Sequence, residues 1–284
     1  MEAHELYARM DKEFVTPKMS DKWGDYMKSV QDFLSDNYKQ RWMGVVCDNA
    51  KVITKVYTAV FPTDEVMNAV LDKNESNIML FVHHPCTWDI RKAPAVFQPM
   101  NRSLLQKFKE SKISIFNYHV PLDNFGPYST SNSLAKALEI KPEKPFAAYF
   151  GAMSGVIGKT EIKTVDELRK KLEKAIGHKA SLYPYGDRQI RNGRVAIVAG
   201  GGNELDHLEE VVDAGVNTFI TGITIKNDFS QPAHKFSEKH KISVMGGTHY
   251  STEQFACKAL CTYFTEELGL ESEFIPGIPV MEDM

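Results

Sequence analysis

Net charge is what this chain has least of. Its 284 residues carry 34 Lys and Arg against 37 Asp and Glu, a formal charge of −3 at pH 7. That balance offers no basic field to hold nucleic acid and no pull towards an anionic membrane. Cysteine is scarce too: Cys47, Cys86, Cys257 and Cys261 do not pair at the spacing of a thiolate zinc site. Cys257 and Cys261 lie four apart in an expected helix. They read either as small buried apolar residues or as reactive or metal-linked thiols. Apolar runs of about 18 residues, long enough to span a membrane, are missing. The opening MEAHELYARMDKEF is charged and lacks the apolar core of a signal segment. These absences describe a chain expected in the cytoplasm, whose function rests in a local site. What is present is ordinary: 43% hydrophobic and 25% charged residues suffice for one large domain or two smaller ones.

Apolar and amphipathic stretches alternate almost throughout. KVITKVYTAV (51–60) is rich in β-branched residues, and PTDEVMNAVLDK (62–73) after it has helical spacing. NIMLFVHH (77–84) is a continuous apolar run, the pattern of a strand covered on both faces. Helix is expected over 100–111, strand over 113–119 and helix over 131–139. A second set follows, with strands expected at 154–160, 194–200, 217–223 and 242–247. Thr164-Val165-Asp166-Glu167 reads as a capping box opening a helix that runs to Gly177. HYSTEQFACKALCTYFTEELG (249–269) reads as a long final helix. The alternation predicts an α/β fold with mostly parallel, helix-covered sheets.

Ligands of open α/β sheets bind beyond the carboxyl ends of strands, and three segments sit there. The first is His83-His84-Pro85, where adjacent strand residues should point to opposite faces. It reads as a diverging pair that gives one imidazole to each of two metals, or as one core and one exposed histidine. The second is His119-Val120-Pro121-Leu122-Asp123, whose aspartate could bind a cation or merely cap a turn; His119 could ligate or donate beside it. In the third, Gly246-Gly247-Thr248-His249…Glu253, His249 and Glu253 are four apart on one helix face, as a ligand pair or a surface pair. Together these histidines and carboxylates suit a dinuclear site with ions roughly 3.5–4 Å apart. The donor types favour Zn, Mn, Fe, Co or Ni over a Cys-type structural zinc. The turn Gly200-Gly201-Gly202 before a helix reads as a packing turn or an anion contact. It has neither dinucleotide nor nucleotide-loop spacing. His4, His178, His234 and His240 lie in polar surroundings and are expected to be solvated, while His207 is a weaker site candidate. Trp88 is expected to wall a cavity.

HHP after a strand, H-x-x-L-D after the next, a glycine turn following V-A-I-V, and G-x-H-x-x-x-E opening a final helix resemble the Nif-three-like family, the GTP cyclohydrolase I type 2 homologues. The likeness runs from about residue 40 to about residue 270. It implies two interlocked three-layer α/β domains with a metal cleft between them, and toroidal hexamers. The first domain would span 1–130, with the helix 249–270 packed back on it, and the second 131–248. It also implies two divalent ions on His83, His84, Asp123, His249 and Glu253, with His119 beside them. On that basis the chain is expected to be a metal-dependent hydrolase of a small, possibly phosphorylated molecule, with an activated bridging water as nucleophile. Glu253 or His119 would move protons, and Gly200, Gly201 and Gly202 would hold phosphate. The sequence departs from the family at Ile223 and Asn227, where acidic and imidazole groups are usual. Asp48-Asn49-Ala50-Lys51 likewise replaces an Asn-Gly-rich segment. These departures keep open a non-enzymatic reading: a metal-binding, metal-trafficking or regulatory interaction protein.

Overall fold

The computed structural model describes residues 1–284. Its early elements are α1 (Ala3–Phe14), α2 (Asp36–Arg41), β1 (Gly44–Cys47), β2 (Lys55–Ala59), α3 (Asp64–Leu71) and β3 (Ile78–Val82). A short ribbon of β4 (Thr87–Trp88) and β5 (Phe97–Gln98) follows, then α4 (Arg102–Glu110), β6 (Ile113–Asn117) and α5 (Val120–Asp123). Next come α6 (Thr130–Ala137), β7 (Lys141–Tyr149), β8 (Ala152–Lys159), α7 (Val165–Ile176), β9 (Ser181–Tyr183) and β10 (Arg194–Val198). The last are α8 (Leu205–Asp213), β11 (Thr218–Thr221), α9 (Gln231–His240), β12 (Ser243–Gly246), α10 (His249–Thr262) and β13 (Glu271–Phe274). The chain divides into two units, Met1–Leu122 with Cys257–Ile278, and Asp123–Ala256 with Pro279–Met284. No helix is long and apolar enough to cross a membrane.

In the first unit a five-stranded sheet has the order β1-β6-β3-β2-β13, parallel except at β1–β6. Alternate residues of a strand face opposite ways, and both faces here are covered. Tyr57, Ala59, Leu80, Val82, Ile113 and Ile115 pack with Val66 and Val70 of α3 and Leu104 and Phe108 of α4. On the other face Phe116 meets Tyr7 of α1 at 5.4 Å between ring centroids, and Phe81 meets Phe264 at 6.2 Å. Thr58 donates its hydroxyl to the carbonyl of Cys257 at 2.8 Å. This double cover explains why all five residues of β3 are apolar and buried. Each such side chain contributes about 1.5–3 kcal/mol by leaving water.

The second unit carries a six-stranded sheet, β7-β8-β10-β11-β12-β9. Val195 and Ile197 pack on one face with Leu134 of α6 and Leu168 and Leu172 of α7. Ala196 and Val198 pack on the other with Leu208 of α8 and Ala233 of α9. This unit is therefore three-layered in its own right. The expected capping box is present, with Thr164 and Glu167 exchanging bonds at 3.2 and 3.1 Å. The mostly parallel sheet expected from the sequence describes the first unit and is corrected in the second. There only β10–β11 and β11–β12 are parallel, and β7–β8, β8–β10 and β12–β9 run antiparallel. The β7–β8 pair is a hairpin, turned by Phe150 (φ 43°) and Gly151 (φ 87°). Two-residue turns join only antiparallel strands. β7, at the sheet edge, carries Pro142 and Pro145, which edge strands tolerate.

Candidate functional site

Hydrogen bonding between β2 and β3 runs past the end of the strand: His83 N donates to Ala59 O at 3.1 Å and His84 N to Val60 O at 2.9 Å. Pro85 has no amide to continue it. Beyond the regular pleat the two rings converge, with centroids 4.4 Å apart at 70°. Both are buried, at 0% and 1% exposure. His83 Nδ1 lies 3.0 Å from the Tyr118 carbonyl oxygen. A carbonyl only accepts, so Nδ1 carries the proton and Nε2 keeps its lone pair. His84 stacks on Phe61 at 4.5 Å and 16°, with Trp23 edge-on at 5.9 Å. Asn117 holds the backbone beneath them, its Nδ2 donating to His83 O at 2.5 Å and its Oδ1 accepting from Tyr38 Oη at 3.1 Å.

His119, past the end of β6, completes a cluster in which nitrogens of His83, His84 and His119 lie within 4.8 Å of one another. Its Nδ1 is 3.1 Å from Oδ2 of Asp21, which is also buried, and Trp23 packs edge-on at 5.0 Å. Burial pushes the Asp21 carboxyl up. The charge and hydrogen bond of His119, helped by the Lys22 amide, outweigh that and hold it below the usual carboxylate range. Asp21 and Trp23 escape sequence reasoning because they lie in the irregular segment between α1 and α2, where no periodicity marks a face. Asn117 escapes because it sits inside an apolar strand.

In the second unit, Asp123 accepts from Thr130 Oγ1 at 2.8 Å. His249 opens α10, and its Nε2 lies 3.2 Å from Glu253 Oε1 one turn on, with both side chains buried. The helix start is closed by a reciprocal pair: Ser251 N donates to Thr248 Oγ1 at 3.1 Å, and Thr248 N to Ser251 Oγ at 2.8 Å. Gly200 (φ 73°) backs this pair, and a Cβ there would fall 2.2 Å from Glu253 Oε1 and 3.1 Å from His249 Nε2. Glycine at this turn is thus required both by backbone conformation and by space. The amides of Gly200 and Gly202 are already taken, donating to Thr252 Oγ1 and Thr221 Oγ1 at 3.0 Å each. Gly201 is the exposed member of the turn.

Elsewhere the histidines sort themselves by packing. His234, expected to be solvated, is buried. Its Nε2 donates to Thr224 O at 2.9 Å, and its Nδ1 accepts from Tyr185 Oη at 3.0 Å. Its polar sequence neighbours face water on α9 while it shares the inner face with Ala233 and Ser237. Burial lowers its pKa, keeping it neutral. His207 is also buried, 3.4 Å from Ala148 O and 3.5 Å from Glu204 Oε2, a structural setting. His4 and His240 are exposed, and His178 is half-buried. Cys257 is buried, donating its thiol to Ala59 O at 3.3 Å. Ile223 is buried, and the Asn227 Oδ1 is spent on a turn, accepting from the amides of Phe229 and Ser230 at 3.0 Å each.

Buried imidazoles and carboxylates without thiolate are the donor set of catalytic Zn, Mn, Fe, Co or Ni sites. These His, Asp and Glu groups could hold a metal ion. Fold and donors define an α/β protein with candidate metal ligands at its strand ends. Residues 22–279 match the family model of Duf34/NIF3 (NGG1p interacting factor 3), and the chain belongs to that family. A GTP cyclohydrolase 1 type 2 homolog from Yersinia pestis is 27% identical over 238 residues, 82% of this chain and 87% of the relative. A protein of the same name from Archaeoglobus fulgidus is 27% identical over 254 residues, 88% of this chain and 96% of the relative. Among solved structures, the structural-genomics protein ybgI, of unknown function, has a TM-score of 0.74 at 19% identity. That match covers 98% of this chain and 100% of the other. At that identity the likeness speaks for the fold alone.

Proposed function

We propose that this chain is a dinuclear-metal hydrolase. In this reading His83, His84, Asp123, His249 and Glu253 hold two divalent ions. The observation that carries the proposal is the donor set itself: five buried imidazole and carboxylate side chains at strand ends and one helix start. Charged groups so removed from water call for a counter-charge. Divalent ions held there would supply Lewis acidity and activate water near neutral pH.

The chain's own groups have definite parts in this reading. Tyr118 fixes the His83 ring so that Nε2 is the ligating atom. Asp21 holds His119 through Nδ1, leaving Nε2 to carry a proton to or from substrate. Glu253 is both a ligand and a second candidate proton carrier. The name borne by the curated relatives supports a nucleotide-like substrate. With the Gly200 and Gly202 amides engaged, a phosphate at the glycine turn would be met by Gly201. Hexameric assembly in the cytoplasm belongs to the same proposal.

The fates of Ile223 and Asn227 favour a second reading, a metal-binding or regulatory protein without turnover, because Ile223 is apolar and buried and the Asn227 Oδ1 is held in its own turn. The two separate in one assay. Protein loaded with Mn, Zn, Fe, Co or Ni is screened against phosphoesters, cyclic amides and GTP, with His84→Ala as control. Metal-dependent turnover lost in the variant supports the hydrolase, and tight metal binding without turnover supports the second reading.

A further inference from the structure

Asp283 is fully buried, although it lies among the last residues of the chain and beyond the 22–279 stretch shared with the family. Its carboxylate Oδ2 accepts from the backbone amide of His249 at 2.9 Å. Its carbonyl accepts from Thr224 N at 2.7 Å and Ile225 N at 2.9 Å. Thr224 is anchored in turn, its carbonyl accepting from His234 Nε2 at 2.9 Å. The segment Pro279–Met284, which belongs to the second unit, is thereby stitched between the end of β11 and the start of α10.

The position of the carboxylate is what gives this meaning. The first amides of a helix have no partner within it, and an anion there is favoured by the helix dipole. In α10, Thr248 satisfies the Ser251 amide, and Asp283 satisfies the first one, that of His249. The residue it grips is the one whose ring pairs with Glu253 at 3.2 Å. Rotation of this first turn would move His249 away from Glu253, which Gly200 confines from behind.

We propose that Asp283 is a positioning residue: it caps α10 from outside the helix and fixes the backbone of His249, making the segment 279–284 a strap on the second unit's ligand pair. Its consequence for metal binding rests on the metal reading above, whereas the capping itself does not.

Two measurements on wild type, Asp283→Ala and Asp283→Asn keep these apart. Amide hydrogen exchange at His249 in metal-free protein reads the cap. Titration with Co²⁺, followed by its visible spectrum, reads the ligand geometry. Asp283→Ala should speed exchange at His249 several-fold and weaken Co²⁺ binding about tenfold. Asp283→Asn, which keeps an acceptor, should restore much of both, and it stands in should the alanine variant fail to fold. Unchanged exchange at His249 overturns the cap. Faster exchange with unchanged Co²⁺ affinity overturns the positioning role. Should wild type bind no Co²⁺ at all, the metal reading fails and the positioning role with it, while exchange still decides the cap.

Discussion

Asn117 Nδ2 donates to the carbonyl of His83 at 2.5 Å, tying the middle of one strand end to the other. The same amide accepts from Tyr38 Oη at 3.1 Å, and all three residues are fully buried. The backbone of the paired histidines is thus pinned from below. Asn117→Ala leaves a buried hydroxyl and a buried carbonyl without this partner, at a cost of about 1–3 kcal/mol. Urea unfolding should show the loss, together with weaker metal binding. A variant as stable as wild type would show that the bond contributes nothing.

Gly200 carries a different kind of constraint. Gly200→Ala places a methyl group 2.2 Å from Glu253 Oε1 at a φ of 73°. Something must move, and the flexible end of Glu253 is what gives way. We expect a stability loss of about 1–3 kcal/mol from the backbone conformation alone. Metal binding should fall by more than that loss explains, measured by calorimetric titration on folded variant. Undiminished affinity would place Glu253 outside the ligand set.

Asp21 offers a test by spectroscopy. Nitrogen NMR of the imidazoles should show His119 protonated at Nδ1 in wild type and in tautomeric exchange in Asp21→Ala. The stability that the Asp21 carboxylate brings has a defined pH dependence. Because its folded pKa is depressed, that stability is present above the unfolded value of about 3.9 and is lost as pH falls through the lower folded value. The gap between wild type and Asp21→Ala should therefore narrow on acidification below about pH 4. A gap that widens there would contradict the pairing.

How far the sequence could be read depended on whether a residue's role was local. β3 was legible because five buried apolar residues run into His83-His84-Pro85, and proline marks the end. The α7 start was legible because a capping box is written within four residues. His249 and Glu253 were legible as a pair because helical spacing alone joins them. What stayed hidden was non-local. Asp21 and Asp283 act on histidines 98 and 34 positions away, with no periodic signal around either. β7 was masked by Pro142 and Pro145, which deny a central strand but not an edge. His234 was misread because its neighbours on α9 are polar, although its own side of the helix faces inward. The anion role considered for Gly200 and Gly202 competed with threonine hydroxyls distant in sequence, and those hold their amides.

The central claim is that these histidines and carboxylates hold metal. Metal content by mass spectrometry, on protein as purified and again after loading and desalting, tests it most directly when wild type is set beside His84→Ala. The account predicts about two divalent ions retained per wild-type chain and a clear deficit in the variant. Wild type that keeps no divalent ion after loading, or a variant that keeps as many as wild type, would contradict it.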